Sequence, residues 1–384
     1  MNFEDALLSV ELVLDSGAVP LIIGESGIGK TSLIKKLCSK KNYYGITLDG
    51  NMLKEGEIGG LPTVDEYSVT LKGREIKRKK TTYAVHTKLL EIDNVLMEQP
   101  DRKILLFIDE INRCEHTVQQ ELMNIILNRE INSYILPENV MVIAAMNPSS
   151  KYEKYSDSEY QVVDMDPAQE DRFVWLEMEA DVKSWIDWGM RISDKNPNDS
   201  NIHEDVLLFI SSFPELLHTP HSTEMIKATP RSWERVSDSY RVYLKRKNHL
   251  PWNIFFNVLK GNVGPSIAQE FYSFVDNNKD PLIKAEEIFE NYEISDAIKT
   301  RILKESHSRL YIAARNILNY LEKSDPRKDK VDIFSKFLNN YPADLKLGIM
   351  KDIKESFSEK LYGEFLENDN FIEGYFSTYI ENEG

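Results

Sequence analysis

The chain has 384 residues, 41% of them hydrophobic, enough to bury a core and to divide into two or three domains. Its 63 acidic against 47 basic side chains give a formal charge of −16, which excludes a general nucleic-acid coat, because such a protein presents a basic face that displaces counterions from phosphates. Cys38 and Cys114 lie far apart without the paired spacing of a disulfide framework or zinc site, and read as reduced thiols of a cytoplasmic protein.

The first stretch, Met1 to Leu14, carries Glu4, Asp5 and Glu11 among its apolar residues, unlike the basic-then-apolar order of a secretory leader. No apolar run approaches the ~20 residues of a membrane span, so a soluble chain with no membrane partner is expected. Val19–Ile23 reads as a strand, and Gly24-Glu25-Ser26-Gly27-Ile28-Gly29-Lys30-Thr31-Ser32 follows it and opens a helical stretch. The first eight of these residues fit the G-x-x-x-x-G-K-[ST] phosphate loop. Glycines let backbone N–H groups converge on phosphate oxygens, Lys30 reaches the β- and γ-phosphates, and Thr31 can ligate magnesium.

Ile46–Leu48 is the second short strand. Lys30 and Asp109 then lie farther apart than a strand and two helices need, so an insertion is expected between Gly59 and Lys88, about 59–88. Within it Tyr67–Leu71, the turn-like Lys72-Gly73 and Ile76–Val85 read as a β-hairpin. Lys72, Arg74, Lys77, Arg78, Lys79 and Lys80 make its far side basic, with Glu75 as the one acid among them. This patch reads either as a solvated hairpin tip or as a contact for an acidic partner.

Ile104–Ile108 is apolar throughout, as a strand buried on both faces is, and it ends in Asp109-Glu110 at the edge where open α/β sheets place ligands. There Asp109 would hold magnesium through water and Glu110 would polarise the water that attacks the γ-phosphate. Val118, Leu122, Ile125 and Ile126 share one helical face, a crossover helix leading to the strand Val140–Met146; Phe173–Met178 is the last strand. After about Ala180 helical patterns take over, broken by loops such as Ser193–Ser200 and His218–Ser222. From Pro251 onward the chain stays helical, with stripes such as Leu310, Ala313, Ala314, Ile317 and Leu318.

Taken with these elements, Asp109-Glu110-Ile111-Asn112-Arg113 and the helix Thr117–Arg129 resemble the MoxR-like, dynein-related branch of AAA+ ATPases. Leu136–Val140 followed by Ala144-Ala145-Met146-Asn147-Pro148 is similar to that family's sensor-1 strand, and Met165–Phe173 to the segment ending in its arginine finger. Trp185-Ile186-Asp187-Trp188 and Ala228–Glu234 are similar to the start of the lid and to the sensor-2 motif, so the likeness covers about residues 1–260 well. The fold it implies is α/β: a P-loop AAA+ domain over 1–180 with a five-stranded parallel sheet flanked by helices, an α-helical lid over 181–250 and a C-terminal helical region over 251–384.

The resemblance also implies roles. Asn147 would bond the γ-phosphate and the attacking water, Arg172 would reach the nucleotide of a neighbouring subunit, and Arg231 would point from the lid onto phosphates of its own chain. Arg113 would either face a subunit interface or pair with a nearby acid. The implied assembly is a homo-oligomer, a hexameric ring, using ATP and Mg2+, with the inserted hairpin lying in the second core helix and facing the central pore. A protein client and a partner carrying a von Willebrand A-type domain are implied in the same way. Adenine over guanine rests on the likeness too, since no N-K-x-D motif occurs. The alternative reading is a nucleic-acid-associated AAA+ motor subunit that touches phosphate backbones through the basic hairpin, which the acidic bulk disfavours; a third, a nucleotide-binding module without hydrolysis, is opposed by the intact Glu110, Asn147 and Arg172.

Overall fold

A computed structural model describes residues 1–71, 74–155, 160–193, 196, 199–277, 280–290, 293–324 and 328–382. The expected hairpin turn Lys72-Gly73 lies outside them, as does part of the loop expected at Ser193–Ser200. The chain separates into two compact units, Met1–Asp181 with Thr229–Arg231, and Val182–Ala228 with Ser232–Gly384.

The first unit opens with α1 (Phe3–Asp15), whose start is fixed by the Asn2 side chain accepting the Asp5 N–H and whose inner face is Ala6, Leu7, Val10, Val13 and Leu14. It continues through β1 (Val19–Ile23), α2 (Lys30–Lys41), β2 (Tyr44–Asp49), the hairpin strands β3 (Pro62–Leu71) and β4 (Arg74–Tyr83), and α3 (Thr87–Glu98). Next come β5 (Ile104–Asp109), α4 (His116–Leu127), the two-residue strands β6 (Glu130–Ile131) and β7 (Tyr134–Ile135), β8 (Val140–Met146), the one-turn α5 (Pro167–Glu170) and β9 (Phe173–Glu177).

Five of these strands form one parallel sheet in the order β2-β5-β8-β1-β9, and each contains the run expected of it from sequence, apart from Met178, which falls just past β9. β5 and β8 are central, and all but Asp109 and Met141 of their residues are buried, which is why both read as unbroken apolar runs rather than alternating ones. The order has a chemical consequence. β8 separates β1 from β5, so the residue after β8 stands between the loop that leaves β1 and the carboxylates that end β5, all at the carboxyl edge of the sheet.

Two local expectations change. The crossover helix buries Val118, Leu122, Ile125 and Ile126 as its periodicity predicts, but it stops at Leu127, because Arg129 takes φ 54° and turns the chain into the small β6–β7 hairpin. The Arg129 guanidinium fastens that turn by donating to the carbonyls of Pro137 (2.7 Å) and Val140 (2.8 Å). The inserted hairpin, in turn, does not interrupt a helix: it follows a single 3-10 turn at Gly50–Met52 and ends before α3 begins. Its strands are ten residues each, antiparallel from Pro62↔Tyr83 to Leu71↔Arg74. Pairing sets Asp65 opposite Lys80 and Glu66 opposite Lys79, so half of the basic run of β4 faces acids across the ladder, while Lys77 and Arg78 face Ser68 and Tyr67.

The second unit is built of helices, with a single Ile192–Ser200 bridge outside them among its described residues, from α6 (Val182–Met190) and α7 (Glu204–Ser212) through α8 (Pro230–Arg246), whose first two residues belong with the first unit, to a last helix at Asp369–Asn382. Trp233, Phe209 and Phe271 pack ring against ring at its centre, and the Leu310, Ala313, Ala314, Ile317, Leu318 stripe is buried as its spacing predicts.

Candidate functional site

The loop between β1 and α2 takes its shape from its glycines. Gly29 has φ 108° and Gly27 φ 81°, left-handed values that side chains resist, and a Cβ on Gly27 would stand 2.9 Å from the Thr229 hydroxyl. Ile28 turns its side chain into the core against α1, leaving the loop backbone as its functional surface.

Lys30 follows at the first position of α2 and is 8% exposed. Its ammonium donates to the carbonyls of Gly24 and Glu25 (3.1 Å) and to Asn147 Oδ1 (3.0 Å), which uses all three of its protons. Burial pulls it down to about 8, with Asp109, Glu110 and Glu25 pulling the other way and Arg231 adding to the fall. A polyanion against this amine would restore its charge fully, so the loop is poised to gain from phosphate.

Next to it the Thr31 hydroxyl donates to Asp109 Oδ2 (3.0 Å), tying the start of α2 to the end of β5. Asp109 accepts the Glu110 N–H on its other oxygen (3.0 Å), and burial raises its carboxyl, opposed by the Thr31 and Lys30 contacts. Glu110 adopts φ 53°, a left-handed conformation that costs a non-glycine residue roughly 1–2 kcal/mol and that clusters at functional sites. Its carboxylate meets Arg113 Nη1 at 3.2 Å, so of the two readings open for Arg113 the acid pair is the one realised within the chain.

Asn147, 1% exposed, completes the group. Its backbone N–H donates to Asn112 Oδ1 (3.2 Å) while Asn112 Nδ2 donates to its carbonyl (2.8 Å), a reciprocal clamp between two buried asparagines. The Asn147 side chain spends Oδ1 on Lys30, and its Nδ2 is buried without a hydrogen-bond partner among the described residues. An unpaired buried donor costs about 1–3 kcal/mol and calls for an acceptor that the protein does not itself supply. A phosphate oxygen has that character, and Thr31 with Asp109 offers the hard oxygen donors that Mg2+ takes. The residues present therefore fit a magnesium-bound nucleoside triphosphate.

The remaining expected residues fall into two groups. Arg231 is exposed at the start of α8, and its backbone N–H donates to the Gly27 carbonyl (3.2 Å), which ties this residue to the phosphate loop within the first unit. Arg172 is not brought to this cluster. It is exposed just before β9, and its guanidinium makes no hydrogen bond or ion pair among the described residues, while the nearby Glu170 is held by Lys151 (2.6 Å) and Tyr152 (2.7 Å). Ser32 is exposed on the outer side of α2.

Asn112 lies in the Asp109–Arg113 motif without a role of its own legible there, and no sequence motif marks Tyr160. The usable signal for Asn112 was a polar residue two places past the acids, flanked by the apolar Ile111 and destined for burial. Asn112→Ala is expected to lower phosphate release about 10²-fold, the scale on which a misplaced group costs rate, while leaving the nucleotide Kd within about threefold. Steady-state turnover beside a binding titration and a melting curve separates this from a loss of fold.

Residues 20–173 match the family model described as AAA domain (dynein-related subfamily). No curated protein matches the chain. Among solved structures it is similar to a mutant of RuvB from Thermotoga maritima, at 17% identity over 79% of this chain and 77% of that one, TM-score 0.39. A second RuvB structure from the same organism, described as a Holliday junction branch migration motor, aligns at 15% identity over 74% and 78% with TM-score 0.38. NtrX from Brucella abortus aligns at 12% identity over 71% and 67% with TM-score 0.32. At such scores these three carry no argument about function. The family match, the strand order and the phosphate loop with its acidic pair together make residues 20–173 a P-loop AAA+ domain, and the chain an ATPase.

Proposed function

We propose that this AAA+ ATPase is a MoxR-like remodelling machine of the cytoplasm, in which turnover within an oligomeric, hexameric ring changes the conformation of a protein client or partner. The observation that carries the reading is the pairing of Lys30 with Asn147 and of the adjacent Thr31 with Asp109 at the carboxyl edge of the sheet, with Glu110 beside Asp109.

In this reading the backbone of Gly24–Ser32 and the Lys30 ammonium bind the phosphates, and Asn147 Nδ2 orients the γ-phosphate or the water that attacks it. Thr31 and Asp109 would hold magnesium, which would supply positive charge against the phosphates. Glu110 takes the proton of the attacking water once its carboxylate leaves Arg113, and Asn112 keeps Asn147 in place. Arg231 serves the phosphates of its own chain as part of a lid over about 181–250. The Arg172 guanidinium, solvent-facing and without a hydrogen-bond or ion-pair partner among the described residues, is suited to reach the nucleotide of a second copy, where it would offset charge developing in the transition state. A von Willebrand A-type partner rests on the family resemblance alone.

The hairpin is the element we assign to the client. Asp65 and Glu66 offset Lys80 and Lys79, so within Lys77–Lys80 the charge that faces no acid across the ladder sits at Lys77 and Arg78. That modest surplus suits an acidic protein surface better than a nucleic-acid backbone, the alternative reading. The variant Lys77→Glu/Arg78→Glu is expected to keep fold and basal turnover and to lose stimulation by the partner captured from the source cells. Lys79→Glu/Lys80→Glu should also loosen the hairpin, because it sets like charges across the ladder at about 0.2–1 kcal/mol each. If DNA or RNA stimulates the wild type with a steep salt dependence and fails to stimulate Lys77→Glu/Arg78→Glu, the motor reading replaces this one.

A further inference from the structure

We propose that Tyr160 is a latch on the phosphate loop, its hydroxyl held by the loop until nucleotide takes its place. The inference rests on the nucleotide reading of Gly24–Thr31 and adds a competing occupant from within the chain.

Tyr160 lies between β8 and β9, and its hydroxyl accepts the Ser26 backbone N–H (3.0 Å) while donating to Glu25 Oε2 (2.7 Å). Both partners are residues of the phosphate loop, reached across 134 positions of chain for Ser26. One side chain thus satisfies the two groups at the lip of the loop that a phosphate approaching from solvent would meet: an N–H that favours an anion and a carboxylate that repels one. Burial pushes the phenol up to about 12, so it keeps its proton and its bond to Glu25 at neutral pH.

The latch also has somewhere to send its motion. Three residues on, the Val163 N–H donates to the Asn112 carbonyl (2.8 Å), and Asn112 clamps Asn147. Release of Tyr160 therefore pulls on a segment tied directly to the residue that orients Asn147, and that same segment runs on through Asp164, bonded to Ser149, toward Arg172.

Tyr160→Phe removes the hydroxyl and keeps the ring, so folding is preserved. Titrated with magnesium and the slowly hydrolysed analogue ATPγS, the variant is expected to bind about fivefold tighter than wild type, the roughly 1 kcal/mol of one net hydrogen bond at 1.4 kcal/mol per decade. With 3-fluorotyrosine at position 160 alone, the 19F resonance should move on adding ATPγS and return when the nucleotide is removed. Equal or weaker binding by Tyr160→Phe, or a resonance that ignores saturating ATPγS, overturns the latch and makes Tyr160 a strut for Glu25. If neither wild type nor variant binds ATPγS, the nucleotide reading fails and the latch falls with it; if both bind equally, only the latch fails.

Discussion

Glu110→Gln is expected to bind ATP as tightly as wild type and to lose about 10²–10⁴-fold in turnover, the span that removal of a general base costs. Gln keeps the size and much of the hydrogen-bonding capacity of the side chain but cannot accept the proton of the attacking water. It also gives up the charge that pairs with Arg113, so the same variant reports whether that pair matters for binding. Lys30→Ala should behave oppositely and lose binding itself, because the ammonium is the one positive group the phosphate loop carries among its own residues. Phosphate release and a nucleotide titration on both variants distinguish the roles. Retention by Glu110→Gln of more than about a tenth of wild-type turnover would remove Glu110 from the base position.

The second large effect concerns assembly. Arg172→Ala is expected to bind ATP normally and to hydrolyse it about 10³–10⁵-fold more slowly, since a charge supplied to the transition state from a second subunit has that scale. Mixing Arg172→Ala with Lys30→Ala should recover part of the turnover that neither has alone. Lys30→Ala subunits bring intact fingers, and Arg172→Ala subunits bring intact phosphate loops. Light scattering during the same assay should report an oligomer. A monomer with full activity, or an Arg172→Ala chain that turns over like wild type, would sink the trans role.

What the sequence made legible follows the physics of each element. β5 and β8 were readable because burial on both faces leaves unbroken apolar runs, and α4 because its buried stripe repeats at helical spacing. The phosphate loop and acidic pair were readable because glycine, lysine and adjacent carboxylates at fixed spacing have few other uses. Local conformation was less so. The end of α4 turns on a left-handed Arg129, a state any polar residue can be forced into by its surroundings, and no residue type announces it. The acids facing Lys79 and Lys80 were invisible until strand register set them opposite, since they lie more than ten positions away in the chain. Asn112 and Tyr160 were missed for a similar reason: their importance lies in partners, Asn147 and the Glu25–Ser26 pair, that only the folded chain brings near.

A structure of Glu110→Gln solved with ATP and magnesium would show directly whether Gly24–Thr31 holds the nucleotide. The expected result is triphosphate cradled by Gly24–Thr31, its γ-phosphate against Lys30 Nζ and Asn147 Nδ2, the metal on the Thr31 hydroxyl, and the Asn112 clamp on Asn147 intact. Nucleotide bound away from that loop, or an Asn147 amide still without an acceptor while ATP is bound, would contradict it.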